Sequence, residues 1–524
     1  MELRPYQTEA IDRIVQRHNL LLALTMGAGK TVTAVAAIRS PRRQRVVNNG
    51  VIFALKSTKW HWMREIAKVD PRAKVQVVDG DKRARSYAIR HADQYHYTIM
   101  HYECLVNDWD LIKEYLPIDF VVLDECTYIK GFAAKRSKKA KVLGKHSAVR
   151  IALSGQPVEG VPEHLFSIME FVDPEVLGGF HKFDSTFIVR DGWGRPLRYR
   201  NLPLITQRLG QAMYRKSRED IAEWLPEMVE KEMPVVLDPI TMKLHDRVRD
   251  DLSLAIDQAL SGGAKGSFDV LAHYGRTTSG GVGTSLMGQV MSRLLAMRML
   301  SSHPRLLLYS ADDFDTELSR RGSEYASELR ASGALKSLPE HHVKLDTLVE
   351  TVVAILDEDP RHKVVVFSYF KPMLRMIATE LMGAVKSGPL GAGLTMITGD
   401  VSGPERDKRI QRFNNDPSCR IFLSSDAGAY GINLNQGSHL LCYDLPWSSG
   451  ALAQRISRID RTDSAFKQIN IGYMFGLNTI EERMYNMLQQ KRRVSRAFID
   501  GEYDNKTGGI SLDLESLREF LDAV

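Results

Sequence analysis

Three groups of residues in this sequence could share one piece of chemistry. The first is Thr25-Met26-Gly27-Ala28-Gly29-Lys30-Thr31. Glycines let backbone N–H groups approach phosphate oxygens, a lysine brings positive charge to the β- and γ-phosphates, and a threonine hydroxyl can hold a metal ion. The common phosphate-loop pattern asks for a further glycine five positions before Gly29, and that position is Leu24. The second group is Asp124-Glu125 at the end of an apolar run. One carboxylate of such a pair can hold Mg²⁺ while the other orients and deprotonates an attacking water. The third is Arg458 with Arg461, three positions apart, which on a helix would share a face and could steady charge on a γ-phosphate as arginine fingers. Near the start, the Gln7 amide could both donate to and accept from an adenine edge.

These groups need elements to hold them. Residues 20–24 are an apolar run that reads as a strand, and residues 32–39 as a helix, so the glycine loop lies between strand and helix. Residues 50–55 read as a buried strand ending at Lys56-Ser57-Thr58. Residues 75–78, 97–100 and 120–123 read as further strands, the last running into Asp124. Residues 150–153 are another, ending in Ser154-Gly155-Gln156-Pro157. Ligands of open α/β sheets gather at such carboxyl ends. Residues 160–230 read as helical, with breaks at Gly178-Gly179 and Gly192-Trp193-Gly194. Residues 240–345 read as long helices interrupted by Gly/Ser-rich stretches at 261–267 and 279–285.

Strand–helix alternation resumes at Lys363. Strands are expected near 364–368, 394–398, 420–423, 438–443 and 469–474, with a helix carrying Gln454, Arg458 and Arg461 and a last helix over 478–498. This second α/β region has no phosphate loop. A nucleotide held between two lobes, with the arginines supplied by the second, accounts for both regions and would couple hydrolysis to closure.

Composition sets bounds. A chain of 524 residues is too long for one ordinary core. Apolar residues at 44% and charged residues at 26% are those of a globular protein in water, and no apolar run is long enough to span a bilayer. The N-terminus lacks a basic region followed by a hydrophobic one, so a secretory signal is not expected. The four cysteines, Cys104, Cys126, Cys419 and Cys442, have no paired metal-ligand spacing and fit a reducing compartment. A net charge of +7 permits an anionic partner. Residues 131–146 are the most basic stretch, a solvated face or a nucleic-acid contact.

Taken in order, the motifs resemble the superfamily 2 helicase-type motors, and within them the SWI/SNF-like double-stranded DNA translocases. Leu3-Arg4-Pro5-Tyr6-Gln7 resembles the family's adenine motif, and residues 26–31 its phosphate loop, which also lacks the first glycine. Trp62 and Glu65, residues 98–103, Asp124-Glu125 with Lys130, and residues 153–157 resemble its later lobe 1 motifs. Phe367-Ser368, Ala427-Gly428 with Gly431-Ile432-Asn433-Leu434, and Gln454 with Arg458 and Arg461 resemble those of lobe 2. Cys126-Thr127 stands where the family has Ala-His, and the stretch Ser424-Ser425-Asp426 where it has a lysine.

The resemblance implies two tandem RecA-like parallel-sheet lobes with an inserted helical region. Lobe 1 would cover residues 1–230, a helical insertion and linker 231–345, lobe 2 residues 346–500 and a tail 501–524. It implies ATP and Mg²⁺ as cofactors. Gln7 would read adenine; Met26, Gly27, Ala28, Gly29, Lys30 and Thr31 would hold phosphates. Thr31 and Asp124 would bind Mg²⁺, and Glu125 would activate water. Arg458 and Arg461 would be the fingers, with Gln454, Gly428 and Gly431 lining the nucleotide from lobe 2. Duplex DNA would meet Lys56, Ser57, Ser154 and Ser424, through backbone contacts in the main. The activity implied is ATP-driven translocation on duplex DNA in repair, recombination, fork processing or protein displacement. A strand-separating or annealing helicase and an RNA- or RNA-polymerase-directed motor remain as alternatives. A monomer without a membrane is expected, in the cytosol of a prokaryote or of an infected host cell.

Overall fold

The computed structural model describes residues 3–40, 47–157, 162–190, 196–261, 286–316, 322–386, 393–429 and 431–500, with residues 517, 518 and 521. The chain divides into two compact units, Met1–Leu225 with Lys491–Ile510, and Pro226–Gln490 with Ser511–Val524.

The first unit is built on strands β1 (Asn19–Leu24), β2 (Gly50–Ala54), β3 (Val75–Val77), β4 (Tyr97–His101), β5 (Phe120–Leu123) and β6 (Val149–Leu153). A hairpin of β7 (Ile188–Arg190) and β8 (Pro196–Tyr199) and then β9 (Met213–Lys216) follow. Seven strands form one sheet in the order β3-β4-β2-β5-β6-β1-β9. Every pairing in it is parallel. Successive side chains of a strand point to opposite faces. Accordingly Leu21 and Ala23, Val51 and Phe53, and Val121 and Leu123 enter one core. Leu20, Leu22 and Leu24, Ile52 and Ala54, and Phe120 and Val122 enter the other. Both faces are therefore covered, as a parallel sheet requires. Only the strand ends are left for polar chemistry.

The second unit contains β10 (Glu227–Val235), β11 (Val364–Phe367), β12 (Gly393–Ile397), β13 (Cys419–Ser424), β14 (His439–Cys442) and β15 (Gln468–Gly476). These make a sheet in the order β10-β15-β14-β11-β13-β12, again parallel throughout. The helices Pro239–Ser261, Leu286–Ser302, Arg305–Asp315 and Glu324–Ala331 precede the α/β alternation. Among the described residues no helix is long and apolar enough to cross a membrane.

The two parallel sheets bear out the expected fold class. Three local readings need correction. Residues 160–230, read as helical, contain the hairpin β7–β8 and the strand β9. Residues 227–235 form β10, nine residues paired along their length with β15. Both β9 and β10 are edge strands with one free side, and β10 is largely exposed. An edge strand carries charge to discourage further pairing, so its sequence lacks the apolar run of a central strand. The helix expected to carry Gln454, Arg458 and Arg461 is Ser449–Ile456 and ends before both arginines. The Gly/Ser-rich stretches, apart from Ser261, and the break at residues 192–194 lie outside the described residues, as does most of the tail.

Candidate active site

The glycine loop leaves the carboxyl end of β1, and the helix Lys30–Ile38 begins directly after it. Gly27 and Gly29 take φ of 78° and 77°, left-handed conformations that suit glycine and strain other residues. A Cβ on Gly29 would also collide with the Gln7 amide. The first turn of a helix presents unsatisfied N–H groups and a positive dipole end, which is what phosphate oxygens need. The Lys30 ammonium donates to the carbonyls of Leu24 at 3.1 Å and Thr25 at 3.3 Å, so it lies over the same strand end. Gln7 is tied to the loop from below. Its Nε2 donates to the Ala28 carbonyl at 3.2 Å and its Oε1 accepts from the Arg4 N–H at 2.9 Å. The Tyr6 hydroxyl donates to the same Ala28 carbonyl at 3.1 Å.

Asp124 follows β5, two strands from β1 in the sheet, at the same carboxyl edge. Its Oδ2 accepts from Trp62 Nε1 at 2.8 Å. Burial raises the carboxyl above its ordinary range, opposed by the Trp62 hydrogen bond and the nearby Lys30 ammonium. A desolvated carboxylate facing a phosphate loop gains most from a cation. The Thr31 hydroxyl and the Asp124 carboxylate are the hard oxygen donors that Mg²⁺ takes, and Mg²⁺ usually completes its shell with water and substrate phosphate. Glu125 has φ 48° and ψ 59°, a left-handed backbone on a residue that is not glycine. Such strain concentrates where geometry serves function. Cys126 behind it is buried, and that burial pushes its thiol well above the ordinary value. Gly155 on the turn after β6 packs against Met26 of the loop so closely that a Cβ would not fit.

In the second unit, Gly428 lies against the Ile397 carbonyl, where a Cβ would clash, and Gly431 has φ 70°. Arg406 donates to the carbonyls of Ala427 and Gly428. Arg458 is only 9% exposed. Its Nε donates to the Gln454 carbonyl at 2.8 Å and its Nη1 to the Ile432 carbonyl at 3.2 Å. Arg461 instead donates to Asp463 at 3.1 Å. The two guanidinium groups therefore do not share a helical face: the backbone leaves the helix at Ile456, and Leu434 N–H binds the Arg458 carbonyl at 3.0 Å. The structure thus ties Arg458 to Gln454 and to Ile432, the residue after Gly431, while Gly428 is held apart from them by Arg406 and Ser425, and Arg461 by Asp463.

The residues expected to meet DNA divide. Lys56 is exposed and Ser57 half-buried just past β2. Ser154 and Ser424 are buried, and their hydroxyls bond within their own turns, to Gln156 N–H and the Ser425 carbonyl. The basic stretch forms the helix Lys135–Lys145. Lys141 pairs with Glu170 and Lys139 lies over the Trp109 ring, while Lys135, Lys138 and Lys145 are exposed.

Sequence reading missed several supports. Trp62 was noted only as part of a motif, and Tyr6, Arg406 and Arg455 had no assigned role. Arg455 is 1% exposed and grips Asp426 with two hydrogen bonds, at 2.6 and 2.8 Å, and Asp444 as well. The Asp426 carboxylate is thus matched by a positive charge. Adjacency to a motif was the one signal for these residues.

Residues 6–305 match the SNF2-related domain, and residues 344–463 match the helicase conserved C-terminal domain. The chain belongs to the SNF2-related family. It is similar to DNA repair and recombination protein RAD54B of Mus musculus, at 24% identity over 95% of this chain and 56% of that protein. It is similar also to the putative ATP-dependent helicase/translocase YwqA of Bacillus subtilis, at 24% identity over 95% of this chain and 49% of that protein. The chain thus spans about half the length of these SNF2-related relatives. A solved structure, the Sulfolobus solfataricus SWI2/SNF2 ATPase core in complex with dsDNA, aligns over 96% of this chain and 93% of its own at 24% identity, with a TM-score of 0.42.

Proposed function

We propose that this SNF2-related chain is an ATP-hydrolysing motor that moves on double-stranded DNA. The observation that carries the reading is the convergence, at one edge of the first sheet, of the glycine loop, Lys30 and the desolvated Asp124 held by Trp62. In this reading residues 1–230 are the ATP-binding lobe and residues 346–500 the lobe that completes the motor. The loop N–H groups and Lys30 bind the phosphates of ATP, and Gln7 holds the loop while reading adenine. Mg²⁺ held by Thr31 and Asp124 would neutralise charge on the phosphates. Glu125 takes the proton of the attacking water. Arg458 and Arg461 keep the arginine-finger roles that the order of motifs implies for them.

Duplex DNA as the track is supported by the order of motifs, the net positive charge and the name of the mouse relative, and movement as an ATP-driven translocase by the name of the Bacillus one. A task in repair or recombination is supported by the mouse relative's name alone. The test is ATPase activity with duplex DNA, single-stranded DNA and RNA as stimulators. Duplex DNA should stimulate most, and triplex displacement should proceed without unwinding of a forked duplex. Stimulation by RNA alone would overturn the reading; efficient fork unwinding would favour a strand-separating helicase. Contacts to phosphates also predict stimulation that weakens steeply as salt rises.

A further inference from the structure

Asp124 is held at two different atoms by two aromatic side chains. Trp62 reaches its carboxylate, and the Tyr102 hydroxyl donates to its main-chain carbonyl at 2.6 Å. That carbonyl belongs to the peptide joining Asp124 to Glu125. The next residue is the one with φ 48°. The plane of this peptide fixes the backbone at Glu125, and with it the direction in which the Glu125 side chain leaves the chain. A strained conformation persists only where its surroundings over-determine it, and the Tyr102 hydroxyl is such a restraint.

Tyr102 follows β4 and is 1% exposed. Its ring stacks on Tyr128, with centroids 5.2 Å apart and planes 19° from parallel. Tyr128 lies in the turn Cys126–Ile129 directly after the acid pair, and its N–H donates to the Glu125 carbonyl at 3.0 Å. It is 36% exposed. Arg136 lies over its ring at 5.2 Å and donates to its carbonyl at 2.9 Å. One run of contacts therefore connects a surface of the first unit with the peptide between the two carboxylates. Neither Tyr102 nor Tyr128 is needed for phosphate binding, so the proposed chemistry leaves this arrangement unexplained.

We propose that Tyr102 is a positioning residue for hydrolysis: its hydroxyl fixes the Asp124–Glu125 peptide and so aims Glu125, and its stack with Tyr128 makes that aim depend on the exposed Tyr128–Arg136 face. This rests on the reading of Asp124 and Glu125 as the acid pair. Tyr102→Phe removes only the hydroxyl and keeps the buried ring. It should lower kcat by about tenfold, the size typical of losing a partner that orients a catalytic ligand, with KM for ATP and the melting temperature unchanged. Tyr128→Ala should lower kcat about two- to tenfold through the lost stack, and Tyr128→Phe should restore it.

A parent-like kcat in Tyr102→Phe, or a loss of kcat matched by equal losses in ATP affinity and stability, would overturn the positioning role. A parent-like Tyr128→Ala would overturn the link to the surface. Glu125→Gln separates this failure from failure of the underlying reading. If Glu125→Gln still turns over, the acid pair itself is misassigned; if it is inactive while Tyr102→Phe is normal, only the present proposal falls.

Discussion

In the proposed reading Glu125 must satisfy two demands at one position, a carboxylate for chemistry and a left-handed backbone that costs a residue with a side chain about 1–2 kcal/mol. Glu125→Gln keeps the shape and removes the proton acceptor. It should lower turnover by roughly 10²–10⁴-fold with ATP affinity and duplex binding retained, checked by ATPase assay beside a gel shift. Turnover near the parent rate would remove Glu125 as the base. Lys30, Asp124 and Glu125 were legible in the sequence as candidates because they are charged residues at or just past the ends of apolar runs. Trp62 and Tyr102 were not. Both lie in motif-like stretches, but a lone aromatic residue in a linear sequence does not show what its polar end touches, and both rings are buried. Their polar ends matter only because the sheet order sets β2 and β4 beside each other and β5 next to β2, and a linear pattern does not give strand order.

At the scale of elements, the turn that follows the helix Ser449–Ile456 decides how two similar arginines differ. Arg458 points inward to two main-chain carbonyls, whereas Arg461 pairs with a half-exposed Asp463. Arg458→Ala should therefore reduce turnover and also destabilise the second unit by about 1–3 kcal/mol, because buried acceptors lose a charged donor. Arg461→Ala should reduce turnover at a cost in stability of less than about 1 kcal/mol, as for exposed ion pairs. Melting temperatures beside steady-state kinetics check both, and equal destabilisation would contradict the geometry. The helix over these residues was misjudged because Gln454, Arg458 and Arg461 fit helical spacing, while the pull on the backbone comes from Leu434, a tertiary contact. Central strands were legible as apolar runs. The edge strands β9 and β10 were not, since one unpaired side favours polar residues there.

At the scale of the whole molecule, the two units should answer acid differently. Burial lowers His245, His303 and His439, all in the second unit, from 6.5 to about 4. A histidine kept neutral in the fold takes up its proton more readily when unfolded. The second unit is thus fully stable above the ordinary value and loses stability as pH falls from about 6.5 toward 4. In the first unit burial lowers His101 but raises the carboxyls of Asp124 and Glu163, which gain protons in the folded form and act in the opposite sense. In the second unit Glu481 is raised by burial and opposes the histidines, but His342, also lowered by burial, adds to them. Trp447 is the single tryptophan of the second unit, and the other five precede residue 226. Between pH 7 and 5, the melt seen by far-ultraviolet dichroism should fall about 5 °C or more below that seen by tryptophan emission. Coincident melts would contradict this. The pairing of β10 with β15 has a consequence for synthesis on the ribosome. The first sheet has all its strands once residue 216 has emerged. In the second, β10 emerges early, while the strand it pairs with ends at residue 476. For the time it takes to make the intervening chain, at about 5–20 residues per second, a nine-residue strand waits without its neighbour, and nascent chains are most open to chaperones and to misassembly in that interval.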